Sequence, residues 1–411
     1  MFNLNNILRN EFFLGSLILM ILINTGNVIT YVLHFSMARL LGPVDYGIFA
    51  VLTNIIFIFS MPAVSIQTLI SKYTTRYNLK KDFGRIRGIF SYLMKESLVI
   101  SAMLYVAFLI ISLYVYKQLK ISFFLLALTG IFLFIAFTYP ILIGILQGMK
   151  RFNAWGWNYV ISCFIKLVIA VLLVTIGFRV YGAIIGFILG NFISFLMLFP
   201  LIKEILHSKK IESRLDIFSR ESLPTVLSML VIVIMYSMDI ILAKIFFNPE
   251  IAGKYAIASL LGKTIWFAAS AVGNAMFPIS SEKYETGKKS RGVMTKTYFA
   301  VIFICITAVF ILATFPEFII KILFDARYLD VANILSYIGI GFSFFSLLNI
   351  HILHKISVDK LRMRHVFILA ILMVLQFFVL LFVHSSLESF SILFMISNII
   401  IFIASILFIQ K

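Results

Sequence analysis

The chain has 411 residues, of which 62% are hydrophobic and 13% charged, with a mean hydropathy of +1.07; soluble domains carry about 25% charged residues, so an ordinary aqueous surface is excluded. The formal charge of +18 suits either nucleic acid or an anionic membrane surface, and its concentration mostly in loops on one side of the apolar runs favours the membrane and no nucleic-acid partner. Cys163 and Cys305 both fall inside apolar runs, which excludes a disulfide framework and a cysteine-based metal site.

Arg9 and Glu11 precede a first apolar run that lacks the short core and small-residue cleavage site of a signal peptide, so it reads as a retained span. Runs near the ~20 residues needed to cross a bilayer occupy 13–37, 47–69, 97–116, 121–147, 157–177 and 181–202. A second set occupies 223–247, 253–281, 298–315, 331–354, 365–384 and 387–409. The run at 298–315 is short for a crossing, and 331–354 carries Asn333, Asn349 and His351. None alternates apolar and polar residues as barrel strands do, so all twelve read as helices. The expected fold is an all-α polytopic membrane protein of about 12 transmembrane helices in two six-helix lobes related by pseudo-twofold symmetry. The N-lobe covers 1–202, a polar cytoplasmic linker 203–222, and the C-lobe 223–411.

With both termini in the cytoplasm, the inner segments hold 25 Lys and Arg residues and the outer loops six, the bias that sets orientation in a cell membrane. In the richest inner loop, 70–96, Tyr73, Tyr77, Phe83, Ile86, Phe90 and Leu93 recur near helical spacing between Lys and Arg. That pattern fits a helix lying on the inner leaflet, although a solvated, topogenic loop with incidental amphipathicity is the simpler reading.

The two halves repeat. Ala38, Arg39, Pro43, Asp45, Gly47, Phe49 and Ala50 after the first span match Ala243, Lys244, Pro249, Glu250, Gly253, Tyr255 and Ala256 after the seventh. Two like-oriented six-helix bundles are parallel repeats, an arrangement that recurs in secondary transporters.

Enzymatic motifs are missing. Gly262, Lys263 and Thr264 imitate the end of a phosphate-binding loop, but Ile257 stands where the first glycine belongs. There is no HExxH, no Cys and His cluster and no nucleophile elbow, so neither a catalytic residue nor a metal ligand is assigned and no cofactor is expected. Charge at membrane depth stands out instead, because a central Lys or Asp costs roughly 3 kcal/mol on insertion scales and usually faces a cavity or a partner. Lys166 lies near the middle of span five, Lys263 in span eight, Asp239 in the outer half of span seven, and Arg39 and Lys244 at equivalent repeat positions near the outer mouth. Four cations against one carboxylate would make a cleft between the lobes positive, suited to an anionic headgroup such as pyrophosphate. Against this stand internal pairing for Lys166, snorkelling for Lys263 and interfacial anchoring for Arg39 and Lys244. Asp239 either pairs with Lys244 or binds a coupling proton or sodium ion. Asn24, Asn27 and His34, with Thr25, either line a polar cavity or join helices.

The stretches LLGPVDYGIFA, LQGMKRFNAWGW at 146–157, VYGAIIGFILGNFISF at 180–195 and DIILAKIFFNPEIAGKYAIA at 239–258 together resemble the polysaccharide transporters, the oligosaccharide-lipid flippases of the multidrug/oligosaccharidyl-lipid/polysaccharide superfamily. The resemblance implies a MATE-like fold. It also implies alternating access that carries a polyprenyl-pyrophosphate-linked oligosaccharide from inner to outer leaflet for cell-surface polysaccharide biosynthesis. An H+ or Na+ gradient or the membrane potential would drive it, and polysaccharide assembly proteins would be its partners. Two rival readings remain: a cation-coupled drug or metabolite exporter of the same superfamily, and a membrane-embedded glycan polymerase or glycosyltransferase using the outer-loop pair Asp325 and Asp330.

Overall fold

In hydrocarbon a helix satisfies every backbone group within its own segment. The computed structural model, which describes residues 11–212, 223–382 and 385–409, contains helices and no strand among those residues. The first half holds α1 (Glu11–Phe59), α2 (Pro62–Asn78), α3 (Phe83–Leu119), α4 (Phe123–Gly130), α5 (Phe132–Gly148), α6 (Phe152–Leu173), α7 (Arg179–Leu198) and the short α8 (Lys203–His207). The second half holds α9 (Leu223–Phe246), α10 (Pro249–Glu285), α11 (Arg291–Thr314), α12 (Pro316–Leu323), α13 (Leu335–Ser357), α14 (Met363–Phe382) and α15 (Leu387–Ile409).

Among the described residues ten stretches are long and apolar enough to cross a membrane, and two of them, Leu17–Phe59 and Phe152–His207, contain a reversal, which brings the crossings to the expected twelve. The first reversal is at Gly42, whose φ of 73° and ψ of 175° lie in a region open to glycine. Neighbours confirm the return of the chain: Gly15 lies against Phe152 and Gly156 against Leu22, while Gly148 lies against Thr74 and Gly144 against Ile70. Residues 148 and 152 flank one turn, so residues 15 and 74 lie at the same end. The second reversal follows the π turn Val174–Phe178 through Gly177, at φ 105°. It lays Gly186 against Ala170 and Gly190 against Lys166.

Two expected boundaries move. The run at 298–315 is a full 24-residue helix, because α11 starts at Arg291 with its basic first turn outside the apolar window. The helix expected to lie along the leaflet over 70–96 is instead a helical turn-back. α2 runs to Asn78, Lys81 adopts a left-handed φ of 53°, and Asp82 caps α3 by accepting from the Arg85 amide at 3.1 Å. A carboxylate cap on that amide favours a helix starting at Phe83 over one continuous helix.

The chain forms two compact units, Met1–Leu41 with Ile55–Ser219, and Gly42–Asn54 with Arg220–Lys411. The sequence reading placed all of 1–202 together; by contact, 42–54 belongs with the second half. The repeat-related glycines explain why. A Cβ on Gly47 would sit 2.8 Å from the Gly253 Cα, and one on Gly253 would run into the Pro43 carbonyl. Only two residues without side chains permit so close an approach. Tyr46, Phe49, Tyr255 and Tyr328 are then fully buried around the contact, with Tyr46 and Tyr328 edge to face at 6.4 Å. The described part of the linker belongs to the first unit, where the Ile211 amide donates to Gly84 O at 3.0 Å and Arg151 pairs with Glu204. Residues 213–222 of that linker lie outside the described residues.

Within each unit the helices pair in the same order. The second crossing packs on the fourth (α2 on α5, α10 on α13), the third on the fourth (α3 on α5, α11 on α13), and the fifth on the sixth (α6 on α7, α14 on α15). The repeat seen in the turns therefore extends to internal packing. Gly253→Ala is expected to destabilise the second unit by about 1–3 kcal/mol through overpacking. A lowered thermal midpoint of the purified protein in detergent checks this, and an unchanged midpoint contradicts the glycine contact.

Candidate functional site

In the second unit, residues one helical turn apart on α10 put Tyr255, Ser259 and Lys263 on one face. α9 presents Tyr236 and Asp239, three residues apart, towards that face. Asp239 is 0% exposed and Lys263 3%. The Lys263 ammonium lies 3.3 Å from Asp239 Oδ1, while Ser259 donates to Oδ2 at 2.6 Å and Tyr255 at 3.3 Å. A second Lys263 contact goes to Asn54 Oδ1 at 2.9 Å, from the 42–54 segment. The ammonium also sits 4.5 Å from the Tyr236 ring centre and 5.7 Å from that of Phe342. Three N–H donors thus meet a carboxylate, an amide oxygen and two ring faces.

Asp239 pairs with Lys263, not with Lys244. Five residues along a helix turn a side chain about 140° away at 3.6 residues per turn, so Lys244 leaves the α9 face that Asp239 occupies. Lys244 is itself buried at 1%, whereas its repeat partner Arg39 is exposed. Equivalent turn positions therefore hold the two cations in opposite environments.

In the first unit, Lys166 on α6 is 6% exposed. Its stem runs over Gly190 of α7, where any side chain would overlap the lysine Cγ. Its ammonium lies 5.0 Å from the Phe187 ring centre. Among the described residues no carboxylate is within ion-pair distance of Lys166. Further along α6 a polar seam joins the helices. Tyr159 donates to Asn27 Oδ1 at 2.9 Å, Tyr139 donates to Asn158 Oδ1 at 2.8 Å, and Asn158 donates to Ser194 O at 2.9 Å. Asn24 is exposed and donates to Met20 O at 2.8 Å, Thr25 to Ile21 O at 3.0 Å, and His34 is half-buried on the same helix. Asn27 thus joins helices, and Asn24 returns its amide to its own backbone.

The sequence reading had Lys166, Lys263 and Asp239 but missed Asn54, Tyr236, Tyr255 and Ser259 as their partners. The spacing of four from Tyr255 to Ser259 to Lys263 was a readable sign of a shared face. Nothing local to Asn54 signals its role, because the contact joins residues 209 positions apart.

The outer-loop acids behave differently. Asp325 accepts from the Arg327 amide at 3.2 Å and its guanidinium at 3.0 Å, and these bonds hold its carboxyl below the usual range. Asp330 is paired with Lys254. A general acid needs a carboxyl raised towards the working pH, so Asp325 is the wrong group for one.

Comparison with known proteins agrees with the architecture. The profile of a family described as "Polysaccharide biosynthesis protein" matches residues 36–333. Among solved structures, a multidrug resistance MATE family transporter of the MOP superfamily in an inward-facing conformation is 16% identical with a TM-score of 0.68, over 93% of this chain and 94% of that one. The lipid II flippase MurJ, in an inward closed conformation, is 14% identical with a TM-score of 0.70, over 96% of this chain and 88% of that one. At such identities the likeness is one of fold. Among curated proteins no sequence matches significantly.

Removing one partner of a buried ion pair leaves an uncompensated charge and costs about 3–5 kcal/mol, whereas replacing both with apolar groups is often neutral. Asp239→Asn should therefore lower the thermal midpoint in detergent markedly, and the double variant Asp239→Leu with Lys263→Met should recover most of the loss. Equal midpoints for wild type and Asp239→Asn would show that the pair does not hold the unit together.

Proposed function

We propose, from the premise that the chain belongs to the polysaccharide biosynthesis protein family, that this multi-pass membrane protein is a flippase. It moves a polyprenyl-pyrophosphate-linked oligosaccharide from inner to outer leaflet by alternating access. The observation that carries this reading is Lys166, a cation buried in a membrane-spanning helix, seated on Gly190 and faced by a ring rather than by a carboxylate. An ammonium so placed still has N–H donors to offer, and a pyrophosphate is a strong charge-assisted acceptor for them. The name of the lipid II flippase adds support, since its fold serves a lipid-linked cargo.

Lys263 is a further candidate ligand for an anionic headgroup, its ammonium held within the second unit by Asp239 and Asn54. The drive is an H+ or Na+ gradient or the membrane potential, with Asp239 the candidate for ion coupling. Lys244 and Arg39 contribute to the positive field from their ends of the helices. The end carrying residues 149–151 and α8 is cytoplasmic, following the excess of Lys and Arg there, and the membrane is the cell membrane. Polysaccharide assembly proteins supply the cargo and remove it.

The drug-exporter reading fits the same fold, but an organic cation would be repelled by Lys166. The polymerase reading loses its acid to the Asp325–Arg327 contact.

Lys166→Gln and Lys263→Gln, each made singly, are expected to reduce the appearance of labelled glycan on the outer leaflet by at least about tenfold, a loss of the order of 1.4 kcal/mol, at normal expression. Wild-type translocation in both variants would remove these residues from the site.

A further inference from the structure

A groove of about 510 Å³ lies in the second unit between α10 and α11, away from Asp239 and Lys263. Val272, Met276 and Ile279 of α10 and Ala300 of α11 form apolar walls, and the groove contains two ionisable side chains, Lys283 and Lys296. Its one buried hydroxyl wall, Thr297, is satisfied internally by donating to Val293 O at 3.0 Å. Both lysines sit towards one end, and Val272 lies eleven residues, roughly 16 Å at 1.5 Å per residue, along α10 from Lys283. The groove is therefore amphipathic along its length, with cations at one end and hydrocarbon along the rest.

Two observations say what covers it. On α11 the neighbouring residues Phe299, Phe303, Ile306 and Phe310 are all well exposed, as on a face turned to lipid, so the wall at Ala300 borders the bilayer rather than water. The lysine end is also strongly basic. Lys288, Lys289 and Arg291 flank it in sequence, and the hydrogen-bond distance of 3.3 Å between Ser290 and His354 brings in the end of α13, which carries Lys355, and the Lys360 that follows it. Among the described residues, neither Lys283 nor Lys296 is paired with a carboxylate.

We infer that this groove is a binding site for one anionic phospholipid of the surrounding leaflet, its phosphate held by Lys283 and Lys296 and an acyl chain lying between α10 and α11. The site is separate from the headgroup site proposed above and does not depend on it. A lipid wedged between the second and third crossings of the unit couples leaflet composition to the helix that carries Lys263.

The test is native mass spectrometry of the purified full chain in detergent, titrated with phosphatidylglycerol or phosphatidylcholine. Wild type should hold one phosphatidylglycerol about tenfold or more tighter than phosphatidylcholine, from two basic contacts at the headgroup level. Lys283→Gln with Lys296→Gln should bring phosphatidylglycerol down to the phosphatidylcholine value while leaving the latter unchanged, which also shows that the variant is folded. Ala300→Trp, which fills the apolar wall, should weaken both lipids. Equal retention of the two lipids by wild type would overturn the site, as would full retention of phosphatidylglycerol by the double lysine variant. Displacement of the lipid by an equal concentration of inorganic phosphate would show a free-anion site instead.

Discussion

A charge inside a membrane-spanning helix has to be satisfied by the protein itself, and the arrangement of this chain's polar residues follows from how each buried cation meets that demand. Lys263 meets it with a carboxylate, an amide oxygen and ring faces. Lys166 meets it with a ring face and a side-chain-free helix surface at Gly190. The difference assigns them different work. A lysine already paired is a stable, near-neutral unit that changes only when its partner changes. One without a carboxylate keeps a permanent attraction for anions, and the proposed pyrophosphate-linked cargo rests on that attraction.

The pair on α9 and α10 depends on a segment from the far end of the sequence. Asn54 reaches Lys263 because 43–54 follows the Gly42 break and packs against α10 at the Gly47 and Gly253 contact. Two helices that approach through glycines bring their flanking side chains within hydrogen-bond range. The same repeat element that marks the turns thus positions a site residue. Loss of either glycine would be felt at Lys263 through displaced Asn54 as well as through packing.

Much of this architecture was legible beforehand. Twelve apolar runs, the turns around Pro43 and Pro249, and the repeat of Pro43 and Gly47 in Pro249 and Gly253 all follow from hydropathy and turn chemistry, which are local. The membership of 42–54 in the second unit was not legible, because a glycine-to-glycine approach shows only when both helices are in place. The pairing of Asp239 with Lys244, one of the two readings open from the sequence, fails for a related reason: five residues along a helix turn a side chain to another face, and the partner, Lys263, comes from the next helix. Of the two readings of 70–96, the leaflet helix is excluded by a local detail, the Asp82 cap, which starts a new helix where the periodicity runs on unbroken.

Equilibrium binding of a polyprenyl pyrophosphate carrying a short glycan, measured on the purified protein, tests the central claim most directly. The account predicts that Lys166→Gln binds at least about tenfold more weakly than wild type, and that Asp239→Asn, which removes a competing carboxylate, binds no more weakly than wild type. Equal binding by wild type and Lys166→Gln would contradict it.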